Sequence, residues 1–296
     1  CIDPCPDWAY DCSEDGSVLQ VPVGTSIETA LLLVPVGGTL ELGSGSFELT
    51  ASLDPGGKAV TIQGALNEDG SLATTIDALG NGSVLVFQSG EEPDTEVRNL
   101  ILTGGSATYG GGIECSNTSS PTIVGCLITG NVATDYGGGV NCYLDCAPLI
   151  QNCTITGNSA GLGGGGISVD QSEAEINACV IQENDAPAGG ALYCVASPNT
   201  ELSGSILCGN TVDQTNGDCF DYGDNCILED CGDDLDSNGV PDGCDPDCDG
   251  DGEPDAWELE SGQDLDCNFN GVPDACDVAN GFEEDCDENG IPDTCD

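Results

Sequence analysis

Four copies of one phrase decide how this chain folds: Leu127-Ile128-Thr129-Gly130-Asn131, Thr154-Ile155-Thr156-Gly157-Asn158, Val180-Ile181-Gln182-Glu183-Asn184 and Ile206-Leu207-Cys208-Gly209-Asn210. They step by 27, then 26, then 26 residues. A weaker copy lies one step upstream, at Ile101-Leu102-Thr103-Gly104-Gly105. The first four copies, counting the weak one, each precede a glycine cluster and an apolar residue. These are Gly110-Gly111-Gly112-Ile113, Gly137-Gly138-Gly139-Val140, Gly163 to Gly166 with Ile167, and Gly189-Gly190-Ala191-Leu192.

A period in the twenties means one supersecondary unit per repeat, whose apolar face is buried only when neighbours stack. Each repeat holds two or three short apolar runs with period-two alternation, broken by Gly, Asn, Asp and Ser, and none is long enough for a helix. One coil of short strands per repeat makes a parallel β-helix. Glycine suits its corners, where φ is often positive, and Asn at the same corner tolerates the left-handed region.

The arrangement resembles the right-handed parallel β-helix superfamily of pectate-lyase-like and bacterial surface proteins. Cys153-Thr154-Ile155-Thr156-Gly157-Asn158 through Gly163-Gly164-Gly165-Gly166-Ile167 is the clearest phrase. Ser26 to Leu31, Gly37 to Leu42, Lys58 to Ile62 and Thr74 to Asp77 look like the entry of that fold. The resemblance covers roughly residues 24 to 210 and concerns fold, not activity.

The 296 residues carry 54 acidic side chains against Lys58 and Arg98 alone, a formal charge of −52. Such a charge excludes nucleic-acid binding, disfavours anionic surfaces and calls for counterions. The longest apolar stretch, Ala30 to Val36, is too short to cross a bilayer, so no membrane span is expected. The absence of methionine suggests a processed chain that has lost a signal peptide. Twenty cysteines without a histidine point to disulfides in an oxidising compartment, hence to a secreted, extracellular or cell-surface protein.

Cys1, Cys5 and Cys12 mark a disulfide-pinned arm over residues 1–24. Thr25 or Ser26 then caps a short apolar helix beginning at Ile27, which plugs the first coil against edge pairing. Two cysteine columns recur in the array: Cys126, Cys153 and Cys179, and Cys115, Cys142 and Cys194. Alternation turns both inward. Residues on adjacent coils lie within disulfide reach, so Cys115 with Cys142 or Cys126 with Cys153 is open either to a bond or to a stack of thiols. Asn81, Asn117 and Asn152 stand in N-x-S/T sequons.

After residue 232 a second repeat begins. Its four twelve-residue loops start at Asp234, Asp247, Asp266 and Asp285. Position 3 is Asp236, Asp249, Asn268 or Asp287, and position 5 is Asn238, Asp251, Asn270 or Asn289. Glycine holds position 6, while Val240, Glu253, Val272 and Ile291 offer a main-chain carbonyl at position 7. Position 9 is Asp242, Asp255, Asp274 or Asp293, and position 12 is Asp245, Glu258, Asp277 or Asp296. This is the oxygen spacing with which a loop wraps Ca²⁺, so up to four calcium ions are expected as cofactors. Aspartate replaces the bidentate Glu at position 12 in three loops, which implies weak sites, on the order of 10⁻⁴ to 10⁻³ M. Apart from Ala256-Trp257-Glu258-Leu259-Glu260 nothing here reads as helical, because Pro241, Pro254, Pro273 and Pro292 interrupt the loops. The tail resembles thrombospondin type 3 and dockerin-like bacterial calcium repeats, in which ions and disulfides replace an apolar core.

The expected chain is therefore all-β: an arm (1–24), a right-handed parallel β-helix of about six or seven coils with a capping helix (25–210), a cysteine-rich junction (211–232) and four calcium-binding loops (233–296). As a function we expect a calcium-binding structural or adhesive protein that assembles into a homo-oligomer or filament through its termini and tail. One alternative, implied by the β-helix resemblance, is a polysaccharide lyase or glycoside hydrolase, with Lys58 or Arg98 as base or a pair among Asp135, Asp145, Asp170 and Glu173. The other is a calcium-dependent module that binds a cell-surface or matrix glycan.

Overall fold

The computed structural model describes residues 11–13, 16–221, 225–238, 240–248, 251–286 and 292–295. Two compact units result, Cys1–Glu229 and Asp230–Asp296. The arm cysteines Cys1 and Cys5 lie outside the described residues.

The first unit is a parallel β-solenoid of about seven turns. Each regular repeat contributes one strand to each of three faces. In one coil these are Thr122–Val124, Leu127–Thr129 and Val140–Tyr143, with Val132–Tyr136 as an extra short strand before the third. Stacked coils give parallel sheets of ten, eight and six strands and a small three-stranded one, the ten-stranded sheet ending in the antiparallel pair Asp11–Cys12 with Val18–Val21. The ladders are in register. Ile123 pairs with Ile150, Ile128 with Ile155, and Val140 with Ile167. Strands have period two, so register places whole columns of side chains inside. Leu102, Ile128, Ile155, Ile181 and Leu207 are all fully buried, as are Leu85, Ile113, Val140, Ile167 and Leu192.

Pairing continues beyond Asn210. Thr215–Gly217, Phe220–Asp221 and Cys226–Ile227 add a strand to each of the three faces, so most of the stretch read as a junction is one more coil. Cys219 is drawn back to Cys194, with Cα atoms 5.5 Å apart.

At the N-terminal end the helix forms over Ile27–Leu33, and Ser26 caps it by accepting from Thr29 N–H at 3.1 Å. Ile27, Ala30 and Leu31 join the core. Lys58 closes the other end: its ammonium donates to the carbonyls of Leu31 (2.7 Å) and Val34 (3.0 Å), where cations complement the helix dipole.

The corner asparagines differ from the sequence reading. The left-handed residue is the one before each of them: Gly130 (φ 67°), Gly157 (64°), Glu183 (53°) and Gly209 (60°). That twist turns Asn131, Asn158, Asn184 and Asn210 inward, where they are at most 7% exposed. Each carboxamide bonds the next in a ladder, Asn131 Nδ2 to Asn158 Oδ1 and Asn158 Nδ2 to Asn184 Oδ1 at 3.0 Å, Asn184 Nδ2 to Asn210 Oδ1 at 2.9 Å. The glycines that follow are needed for space as much as for φ. A Cβ on Gly139 would lie 2.6 Å from Gly166 O and 2.9 Å from Ile155 Cγ2.

The cysteine columns are buried thiols. Cys115, Cys126, Cys142, Cys146, Cys153 and Cys179 are all free and buried. Their sulfurs donate to carbonyls two residues back, Cys126 to Val124, Cys153 to Gln151 and Cys179 to Asn177, at 3.3 to 3.4 Å. The neighbouring thiol in each column, together with burial, pushes Cys115, Cys153 and Cys179 upward, so these three stay protonated and inert.

In the second unit three of the four prolines start helical segments: the helix expected around Ala256 to Glu260 forms, and two more stand where an interruption was expected. Pro254 precedes Asp255–Ser261, Pro273 precedes Asp274–Ala279, and Pro241 precedes a 3₁₀ turn at Asp242–Cys244. Proline has its φ preset and no N–H to lose, so it is tolerated where a helix begins.

Candidate functional site

All four acidic loops are closed by the same two hydrogen bonds. The position-9 N–H donates to the carbonyl preceding position 1: Asp242 to Asp233 (2.8 Å), Asp255 to Pro246 (2.9 Å), Asp274 to Leu265 (2.7 Å) and Asp293 to Glu284 (2.7 Å). The position-2 N–H donates to the position-9 carboxylate. Leu235 reaches Asp242 at 2.8 Å, and Cys248, Cys267 and Cys286 reach Asp255, Asp274 and Asp293 at 3.0 Å. The position-9 aspartates thus fasten the two ends of each loop.

Inside the loops, side-chain oxygens accept main-chain N–H groups in tight turns. Asp234 and Asp236 accept from Asn238 N–H (3.1 and 3.0 Å), and Asp266 and Asn268 accept from Asn270 N–H (3.2 and 2.9 Å). Asp247 and Asp266 accept from the position-6 glycines Gly252 and Gly271 at 2.9 Å. Those glycines have φ of 96° and 85°, a bend that a residue with Cβ makes at a cost. Asn238, Asp251 and Asn270 accept from the N–H of Val240, Glu253 and Val272. The position-7 carbonyls were expected to point at the ion, and their N–H groups are what hold the position-5 oxygens.

Position 12 closes the ring of oxygens. Asn238 Nδ2 donates to Asp245 Oδ1 at 3.0 Å, while Asn268 and Asn270 Nδ2 donate to Asp277 Oδ2 at 3.0 and 2.9 Å. The other oxygen of each carboxylate, Asp245 Oδ2 and Asp277 Oδ1, is buried without a hydrogen-bond partner. Asp277 is only 1% exposed. Desolvation and the charges of Asp236, Asp242 and Asp234 raise the Asp245 carboxyl, partly offset by its bond from Asn238. In the second loop Asp251, Glu253 and Glu258 bring oxygens within 4.8 Å of one another. Buried acceptor-only oxygens with no basic residue in the unit fit a hard cation with oxygen ligands. Asp249, Asp287, Asn289, Ile291 and Asp296, expected in the second and fourth loops, lie outside the described residues.

Disulfides link successive loops with a fixed rule: Cys248 at position 2 bonds Cys276 at position 11 of the next loop, and Cys267 bonds Cys295 in the same way. Both bridges span 28 residues with Cα atoms 5.8 Å apart. Cys208, Cys226, Cys231 and Cys244 are also disulfide-bonded, whereas Cys286, at position 2 of the last loop, is free and exposed.

The residues weighed for polysaccharide chemistry do not all come together. Arg98 pairs with Glu96 at 3.5 Å and donates to Gln63 at 2.9 Å, and Lys58 holds the helix end. Asp145 and Glu173 line one open groove, while Asp170 lines another with Glu114 and four tyrosines. That aromatic groove was missed. Its trace in the sequence is a tyrosine directly before two of the glycine clusters, Tyr109-Gly110 and Tyr136-Gly137.

Among the described residues no helix is long and apolar enough to cross a membrane. No curated protein and no solved structure matches the chain. A family profile described as right handed beta helix region matches residues 72–232, the span of the regular coils. More than half of the sequence is thereby accounted for, and the chain belongs to the right-handed β-helix family.

Proposed function

We propose that this is a secreted, calcium-binding structural protein in which Ca²⁺ organises the acidic unit and the solenoid serves as a stiff scaffold. The observation that carries the reading is Asp277: a nearly inaccessible carboxylate whose Oδ1 has no partner, in a unit without a basic side chain. A buried anion left in that state costs several kcal/mol, roughly, and a bound cation removes the cost. Positions 1, 3, 5 and 12 supply side-chain oxygens and position 7 a carbonyl, while position 9 closes the loop. The ion supplies charge compensation and crosslinking, and no redox or acid chemistry is asked of it. Ten disulfide-bonded cysteines among the described residues support an oxidising, extracellular setting.

In its sharper form the reading has copies associate when the acidic unit is neutralised, because like charge otherwise keeps them apart. Isothermal titration of Ca²⁺ into the intact chain and into Asp277→Asn tests the first part. The wild type should take up more ions than the variant, with saturation in the millimolar range or below. Absence of saturable heat in the wild type refutes calcium binding. Light scattering and electron microscopy in millimolar Ca²⁺ and then in EGTA test the second part. An unchanged monomer mass in both removes self-assembly.

A further inference from the structure

On the solenoid, far in sequence from the acidic loops, the outer face of the six-stranded sheet carries a cleft of about 310 Å³. Register builds its floor. Glu114, Asn141, Ser168 and Tyr193 stand side by side on four neighbouring strands, Ile113–Ser116, Val140–Tyr143, Ile167–Asp170 and Leu192–Val195. Tyr143, Asp170 and Val195 form the next outward row.

Tyrosines form the wall. Tyr109 and Tyr136 pair across adjacent coils, and their rings are parallel within 2° at a centroid distance of 6.5 Å. The residue continuing this column on the next coil is Gly163. Tyr193 leans over it, so that a Cβ there would lie 3.0 Å from the Tyr193 ring, and stacks on Tyr136 at 5.6 Å. A three-ring stack thus draws on residues spread over four coils, completed by the absence of a side chain at Gly163.

The charged side chains that line the cleft are both carboxylates, Glu114 and Asp170, set among the neutral polar groups of Asn141, Ser168 and the tyrosine hydroxyls. Glu114 is held by Asn141 Nδ2 at 3.3 Å, and Asp170 faces the same space. Neither Lys58 nor Arg98 lines it. Aromatic faces beside carboxylates, without a basic group, recognise a positive charge on an apolar body. The volume suits a small molecule, and the field of a chain with formal charge −52 concentrates cations and repels anions.

We propose that this cleft binds an organic ammonium ion, a primary or quaternary amine whose charge is received by the tyrosine rings and by Glu114 and Asp170. Inorganic cations fit less well, since hard ions need a shell of oxygens that aromatic walls do not supply. Titration supports the assignment. Burial pushes the Glu114 carboxyl up to about 7, against the bond from Asn141, so its charge is available to be induced by a cation. The other titratable groups lining the cleft are Asp170 and the hydroxyls of Tyr109, Tyr136, Tyr143 and Tyr193, and Asp135 lies beside Tyr109. Asp135 pushes Tyr109 up, which keeps that ring neutral. Binding should therefore tighten with pH, by roughly thirtyfold between pH 5.5 and 8.5 if Glu114 must be ionised.

The test is a calorimetric or NMR titration of the intact protein with choline and with its neutral isostere 3,3-dimethyl-1-butanol, in 150 mM NaCl and 5 mM CaCl₂, at about these two pH values. The expected result is saturable choline binding at pH 8.5, at least about tenfold weaker binding of the alcohol, and a clear loss at pH 5.5. Glu114→Gln should abolish the pH dependence, and Tyr109→Leu, at an exposed ring, should weaken choline severalfold while leaving the far-UV spectrum unchanged. Equal affinity for the alcohol, preference for a neutral sugar such as methyl glucoside, or choline binding untouched by both variants overturns the proposal. The last would mark diffuse counterion attraction only.

Discussion

Removing one rung of the asparagine ladder should cost far more than its single side chain suggests. Asn158 is 1% exposed and its carboxamide makes four bonds. It donates to Ile128 O (2.9 Å) and Asn184 Oδ1 (3.0 Å), and it accepts from the N–H and the Nδ2 of Asn131, both at 3.0 Å. Asn158→Ala leaves the Asn131 N–H and the Ile128 carbonyl facing a void. Each orphaned buried group costs about 1 to 3 kcal/mol, so the substitution should destabilise by about 3 to 5 kcal/mol. Thr156→Ala, two residues away on the outer face, should stay within about 0.5 kcal/mol. Because Asn131 is one of the orphaned partners, Asn131→Ala/Asn158→Ala should cost clearly less than the sum of the singles. Guanidinium unfolding followed by circular dichroism, in constant calcium, measures the global loss. Hydrogen exchange locates it, with protection falling around 127–184 before the N-terminal coils. An Asn158→Ala loss below about 1 kcal/mol, or strict additivity in the double variant, would refute the claim that the ladder satisfies the corners.

Glu91 gives a pH-dependent counterpart. It is 1% exposed and accepts from Gly57 N–H (2.8 Å), Ser89 N–H (3.0 Å) and Ser119 Oγ (2.8 Å). Desolvation raises its carboxyl, but these bonds outweigh it and the net shift is downward from 4.5. Its contribution is thus present above about pH 4.5 and lost as pH falls through the lowered folded value, so Glu91→Gln should be destabilising at pH 7 and progressively less so as the pH falls below about 4.5, by urea midpoint. Glu114 has the opposite sign: its carboxyl is raised to about 7, so Glu114→Gln should stabilise the fold at pH 8 and change little at pH 4. Maleimide labelling of the native protein, mapped by peptide mass, should modify Cys286 and spare Cys115, Cys126, Cys142, Cys146, Cys153 and Cys179 until denaturant is added. Gly139→Ala, which places a methyl 2.6 Å from Gly166 O, should lower the melting temperature by several degrees, roughly, even though φ at this position suits any residue.

Period and alternation carried the fold, because stacking makes one coil predict the next. The 26 to 27 residue step, the inward isoleucine columns and the Ser26 cap follow from local pattern alone. What local pattern leaves open is which of two corner residues takes the positive φ. Once Gly130 takes it, Asn131 turns inward and becomes a ladder instead of a left-handed corner. The thiol columns posed a similar choice, since stacked cysteines satisfy disulfide distance whether or not they bond. Here the sulfurs donate to carbonyls two residues back, and Cys194 leaves its column for Cys219. In the acidic unit, proline was read as an interruption because its effect depends on place in the turn, and position 8 is directly ahead of the helical residues. The tyrosine cleft was invisible for another reason: Tyr193 is 57 residues from Tyr136 and meets it only because Gly163 has no side chain.

Both units face the same difficulty, a backbone bent through tight corners whose polar groups must be satisfied. The solenoid meets it with neutral carboxamides, each of which donates and accepts, so that a column of them closes on itself from Gly105 N–H to Gln214 Oε1. The acidic unit meets it with a few asparagines and mainly with carboxylates, which only accept. Every N–H they satisfy leaves further lone pairs, and at Asp245 and Asp277 one oxygen is buried with nothing to receive. A neutral ladder is complete without an ion, whereas a ring of acceptors is not. The second unit also lacks the apolar columns that would hold it together under repulsion, its buried apolar side chains among the described residues being Cys276 and the prolines Pro241, Pro254, Pro273 and Pro292. Its loops are fastened instead by position-9 carboxylates and by bridges from each loop to the next. Covalent fastening keeps the acceptors close together, and the repulsion that this proximity creates is what the proposed cation would offset.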